Sequence, residues 1–149
     1  MTSYYKPFNQ TLFNQHDAIS RNIVSNYFKS IGIHLIDNPD VYGIDLITPN
    51  YSIGVEVEHN LFWTSNLNRS YINVFKRKGK YFINKAYQSC IVFLDSPLKT
   101  MLILNGEHII NAINSNNHTN TPLLNHNNGE TEMDSVYRID INLGKYIKL

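Results

Sequence analysis

Between Tyr51 and His59 the chain alternates, with Ile53, Val55 and Val57 on one side and Glu56 and Glu58 on the other. A period of two belongs to a β-strand with one buried face, since a helix would scatter both sets around its circumference. Such a strand needs neighbours. Val41–Ile47 is a second extended run, and Thr48-Pro49-Asn50 between the two reads as the turn of an antiparallel hairpin. Ile33–Ile36 is a short apolar run ahead of the punctuation Asn38-Pro39-Asp40.

The preceding segment, Asp17–Ile31, is an amphipathic helix by spacing. Ile19, Ile23, Tyr27 and Ile31 recur every four residues, with Val24 and Phe28 beside them. Asn14 or Asp17 is expected to cap its start, and Gly32 to end it in a left-handed conformation. After the polar stretch Asn60–Ser70, Ile72–Tyr87 reads as a second helix: Phe75, Phe82 and Ala86 fall seven and four apart, although Gly79 weakens it. Cys90–Asp95 is a continuous apolar strand, the kind buried on both faces.

The rest is expected to be rich in β-structure. Thr100–Leu104 and Glu107–Ile110 form a hairpin around Asn105-Gly106 on this reading, 111–130 is an Asn-rich surface loop, and Val136–Ile141 is a last strand. A chain of 149 residues, 42% hydrophobic and 17% charged, fits one soluble domain spanning 1–149, with 1–15 as an N-terminal arm. That content excludes intrinsic disorder and collagen-like sequence. The expected class is α/β, with a mixed central sheet flanked by helices and a β-rich C-terminal extension.

The longest apolar run falls far short of the roughly 20 residues that span a bilayer, so no membrane partner is expected. The first fifteen residues lack the apolar stretch of a signal peptide. Cys90 is the single cysteine, which allows no internal disulfide and suggests a reducing compartment. These features point to a cytoplasmic protein, in the host cytoplasm if the chain is phage-encoded.

A net charge of +1 gives no global sign of a polyanionic partner, but it hides a segregation. From Ser30 through Asn68 there is no Lys or Arg, while Asp37, Asp40, Asp45, Glu56 and Glu58 fall there. From His59 through Leu94 there is no Asp or Glu, while Arg69, Lys76, Arg77, Lys78, Lys80 and Lys85 fall there. Carboxylates gathered on neighbouring strands repel unless a cation or raised pKa values relieve them. A hairpin with Asp45 on one strand and Glu56 on the other could supply a hard divalent ion such as Mg²⁺, and a basic segment beside it would hold phosphates. Those are the parts of metal-assisted phosphodiester hydrolysis. Solvent-facing acids on a sheet and a solvated basic helix give the same spacing, so the residues alone leave both readings open.

Other residues add little. His16, His34, His59, His108, His118 and His126 show no helical metal spacing; His118 and His126 fall in the Asn-rich stretch, and His59 adjoins the acidic strand. Phe62 and Trp63 suit a core edge or stacking on an unpaired base. Cys90 reads as a small apolar residue.

Tyr42-Gly43-Ile44-Asp45-Leu46 followed by Gly54-Val55-Glu56-Val57-Glu58 resembles the active-site hairpin of the PD-(D/E)XK nuclease superfamily, the restriction-endonuclease-like fold. The stretch from Trp63 through Phe75-Lys76-Arg77-Lys78-Gly79-Lys80-Tyr81-Phe82 is similar to small phage proteins of this type. The resemblance covers about half the chain and implies an αβββαβ core. It also implies a Mg²⁺-dependent endonuclease-like hydrolase, with Mn²⁺ able to substitute and DNA as the expected substrate. By position, Asp45, Glu56 and the Val57 carbonyl become metal ligands. Glu58 stands where the family usually has lysine, as in the E-x-E variant of some active restriction enzymes. It would add a ligand or position water, and Lys78 or Lys80 would take over the lysine's role. Arg69, Lys76, Arg77 and Lys85 would contact the backbone from a basic helix over Lys76–Lys85, with Trp63 beside them. A homodimer is open, as is a catalytically silent module of this fold that binds nucleic acid or protein.

Overall fold

The computed structural model describes residues 10–59, 70–83, 88–95, 100–115, 118–124 and 131–149. Helix α1 (Gln10–Ser30) precedes β1 (Ile36–Asp37), β2 (Leu46–Ile47) and β3 (Ile53–His59). Strand β4 (Tyr71–Phe75) runs into a 3-10 helix (Lys76–Tyr81), followed by β5 (Gln88–Asp95), β6 (Thr100–Asn105) and helix α2 (Gly106–Asn114). Strands β7 (His118–Leu124) and β8 (Thr131–Asp140), a short 3-10 turn (Ile141–Leu143) and β9 (Lys145–Lys148) complete the order.

The architecture is mixed α/β. A six-stranded sheet has the order β1-β2-β3-β5-β6-β9, and a three-stranded sheet the order β4-β8-β7. All pairings are antiparallel except β3 with β5, which run parallel from Ile53 opposite Gln88 to His59 opposite Leu94. One face of the large sheet carries Val55, Val57, Val92 and Leu94, closed by Val24 and Phe28 of α1. The other carries Ile91, Phe93, Leu102 and Leu104, closed by Ile109 and Ala112 of α2 and by Ile72, Val74, Tyr137 and Ile139 of the small sheet. Strand β5 is thus buried on both faces, as its unbroken apolar run implies. Among the described residues no helix is long and apolar enough to cross a membrane.

Helix α1 begins seven residues before the expected start, so 10–15 is helix rather than arm, and Asn14 and Asp17 fall inside it instead of capping it. Its buried stripe is Ser20, Val24 and Phe28, with Ile23 and Tyr27 at the margin; Ile19 and Ile31 are exposed. Steps of four residues overshoot a 3.6-residue turn, so three of them swing the side chain by about 120°, too far for one stripe. The C-terminal end is as expected. Gly32 has φ +88°, and the Gly32 and Ile33 amides donate to the carbonyls of Lys29 and Phe28, a Schellman closure with Ile33 packed against Phe28's cluster.

Further expectations fail. Val136–Ile141 is not the last strand: β8 starts earlier, at Thr131, and ends at Asp140, and β9 follows it to pair with β6. Ile72–Tyr87 is not an α-helix where described: Tyr71–Phe75 is a strand with alternating burial, because β-branched Ile72 and Val74 face the core at a period of two. The 3-10 helix follows it, and the crossover between parallel β3 and β5 therefore carries a strand of the second sheet. Asn105-Gly106 is no hairpin turn either; Asn105 is extended and Gly106 opens α2, where a Cβ would come within 2.7 Å of the Ser89 carbonyl oxygen. Nor is 111–130 a loop throughout. Ile109 and Ala112 bury one face of α2 while Asn111 and Asn114 face outward, and β7 pairs with β8 through backbone bonds that ignore side-chain polarity.

Candidate active site

The β2–β3 hairpin forms, with Leu46 opposite Val55 and Ile47 opposite Gly54, but only Leu46–Ile47 of the expected extended run Val41–Ile47 is strand, because polar turns around Asn38 and Asp40 hold the residues before it. Its turn is tied by the Thr48 hydroxyl, which accepts from the Ser52 and Ile53 amides at 3.0 Å each. Asp45 precedes the last paired residue of β2, where the ladder stops, and its carboxylate continues the ladder by accepting from the Val57 amide at 2.8 Å. In return the Asp45 amide donates to Glu56 Oε1 at 3.2 Å. The N–H and C=O of an extended residue share one edge, so the Val57 carbonyl also points to the Asp45 side.

The segment leading into Asp45 is held by short polar bonds. Asn38 Nδ2 donates to the Ile44 carbonyl at 2.9 Å, the Asn38 amide donates to the Asp45 carbonyl at 3.0 Å, and Asp40 Oδ1 accepts from the Tyr42 amide at 3.0 Å. Asn38-Pro39-Asp40, legible in the sequence only as punctuation, is therefore the brace of the first carboxylate. Its signal was the Asx-type turn composition.

Alternation along β3 puts Val55 and Val57 into the core beneath α1 and turns Glu56 and Glu58 to the opposite face. There Lys78, from the 3-10 helix, closes over both. Its Nζ lies 3.0 Å from Glu56 Oε2 and donates also to Glu58 Oε1. Glu56 is only 5% exposed. Burial pushes its carboxyl up from 4.5 to about 7; Lys78 pulls the other way, and neighbouring Asp45 adds to the rise. Three carboxylates against one ammonium leave an excess of negative charge, carried by oxygen donors alone.

Of the expected site residues, Asp45, Glu56, Glu58 and Lys78 come together. Lys80 does not: its ammonium lies 5.5 Å from the centre of the Tyr81 ring, away from the carboxylates, because a 3-10 turn cannot aim residues two apart at the same point. Among the described residues no group of three or more His, Cys, Asp or Glu side chains converges to hold one ion. Glu58 is drawn to Lys78, and the direct contact of the acids is Asp45 with Glu56. Lys76 and Arg77 are exposed on the 3-10 helix. Trp63, Phe62, Arg69, Lys85 and His126, and the side chains of Asp17, His59 and His118, lie outside the described residues. Cys90 is buried, and its thiol is pushed up to about 12, so it stays protonated and inert. No family model, no curated protein and no solved structure matches the chain.

Proposed function

We propose that the chain is a metal-dependent nuclease of the PD-(D/E)XK kind, hydrolysing phosphodiester bonds in DNA with Mg²⁺, or Mn²⁺ in its place. The observation that carries this reading is the way β2 and β3 bring two acids together, the Asp45 amide donating to Glu56 Oε1 and the Val57 amide to the Asp45 carboxylate, with Lys78 closing on Glu56 from a separate element. Two adjoining carboxylates, one pushed up by burial and by its neighbour, suit a hard divalent cation, which takes one or two carboxylates and keeps several waters. Asp45 and Glu56 would hold it, with the Val57 carbonyl as a further oxygen donor, while Glu58 stays paired with Lys78. The ion would supply charge neutralisation at the phosphate and an activated water.

Lys78 stands in for the lysine that β3 lacks. Held by two carboxylates, it offers a preorganised ammonium to the charge that develops on the phosphate. Lys76 and Arg77 on the same 3-10 helix provide backbone contacts that carry no sequence information.

A second reading, a catalytically silent module binding nucleic acid or protein, is favoured by one observation. Lys78 already neutralises part of the cluster without any ion. Cleavage of plasmid and short oligonucleotides with Mg²⁺ or Mn²⁺ separates the two. Wild type should cut, while Asp45→Ala and Glu56→Ala should lose on the order of 100-fold or more, as befits removal of a ligand from a metal that supplies several kcal/mol. Equal cutting by all three would place the activity elsewhere; binding without cutting would favour the silent module.

A further inference from the structure

The outer face of the small sheet carries an arrangement that the candidate site does not use. Strand β4 turns Ile72 and Val74 into the core, so Tyr71, Asn73 and Phe75 lie on its other face. The register sets them opposite Asp140, Arg138 and Val136 of β8. The Arg138 guanidinium lies 4.5 Å from the centre of the Tyr71 ring, and the Arg77 guanidinium 4.7 Å from that of Phe75. Both rings are half-buried and both arginines exposed. Between the stacks, Asn73 Oδ1 is enclosed and has no hydrogen-bond partner among the described residues. Val136 is already covered, so the accessible parts of the face are Tyr71 with Arg138 at one end and Phe75 with Arg77 at the other.

We propose that this face binds single-stranded nucleic acid, with bases stacking on the Tyr71–Arg138 and Phe75–Arg77 pairs and phosphates meeting Lys76, Arg77 and Lys80. Every base has a π-face, and aromatic and guanidinium planes are the surfaces on which unpaired bases stack. Arg77 and Lys80, three apart on a 3-10 helix, eclipse one another and form a basic edge along the same path. No acid occurs between His59 and Leu94, so β4 and its 3-10 helix oppose a polyanion with one sign of charge; Asp140 is the acid across the strand pair. A duplex hides its base faces, which selects the unpaired form. The face ends where the 3-10 helix carrying Lys78 begins. This deepens the nuclease reading by naming the strand form, and rests on that reading only for what then happens to the strand.

Fluorescence anisotropy with a labelled oligo(dT) of about 20 nucleotides, against a duplex of equal length and with EDTA present, tests it. Wild type should bind the single strand more tightly than the duplex, more weakly as salt rises. Arg138→Ala should weaken binding about tenfold, and Arg138→Lys nearly as much, because lysine keeps the charge but loses the planar stack. Binding by Arg138→Lys equal to wild type, preference for the duplex, or no binding of either would overturn the proposal. Oligonucleotide cutting by the same samples with Mg²⁺ keeps the two ideas apart. Strand binding without cutting removes the nuclease reading alone, and cutting with no dependence on Arg138 removes the platform alone.

Discussion

Glu56 is asked to be both buried and charged, and the surrounding atoms answer only in part. Its Oε1 accepts the Asp45 amide and its Oε2 meets Lys78, yet it keeps a pKa near 7. The folded carboxyl therefore holds a proton that the unfolded one releases near 4.5. Stability from this group is full below about pH 4.5, falls as pH rises towards 7, and is gone above it, a loss on the order of 3 kcal/mol. Urea midpoints measured from pH 4 to 8 should show this decline, and Glu56→Gln should flatten it. Lys78→Met tests the other half of the balance. It leaves Asp45, Glu56 and Glu58 without their ammonium, so it should cost about 3 kcal/mol at pH 8 and clearly less at pH 5, where Glu56 takes up a proton instead. An equal loss at both pH values would mean that Lys78 does not neutralise Glu56. Asp45 and Glu56 could be read in the sequence because alternation sets the face and a short turn sets the partner. The choice between Lys78 and Lys80 could not, since it depends on the residues per turn of a helix that the spacing misassigned.

At the level of elements, apolar runs with one unambiguous period were legible, and mixed ones were not. Strand β3 has a strict period of two, and Gly32 follows an apolar stripe where a positive φ is needed. The stretch from Tyr71 to Phe82 contains both periods. Ile72 and Val74 satisfy a strand, Phe75 and Phe82 a helix, and the contact of Ile72 and Val74 with Tyr137 and Ile139 decides it, a partner more than sixty residues away. The start of α2 holds a similar conflict. Asn-Gly favours a hairpin in isolation, but here Gly106 is required by its close approach to Ser89. Gly106→Ala should thus cost about 1–3 kcal/mol, because the Cβ meets backbone oxygen that cannot swing aside. A midpoint unchanged from wild type would show that α2 can move off β5 freely.

For the molecule as a whole, two layers converge on one polar edge. Helix α1 fixes the rear of the large sheet, and the small sheet fixes its front, so Glu56 and Glu58 lie on a face whose core is apolar. Lys78 reaches them because β4 belongs to the small sheet and delivers its 3-10 helix to the front of β3. An ion bound at Asp45 and Glu56 would engage only the folded chain and should raise the thermal midpoint. Saturation at about 100 times the dissociation constant corresponds to about 2.7 kcal/mol. The ion competes with the proton on Glu56, so the shift produced by Mg²⁺ or Mn²⁺ should be larger at pH 8 than at pH 6. Calcium, with the same charge and oxygen preference but a larger radius, is the useful control for geometry. Asp45→Asn should abolish the shift while leaving the fold in place, since an amide oxygen can still accept from the Val57 amide. A midpoint indifferent to Mg²⁺ and Mn²⁺ at both pH values would leave this edge neutralised by Lys78 without an ion, and would favour the binding module over the nuclease.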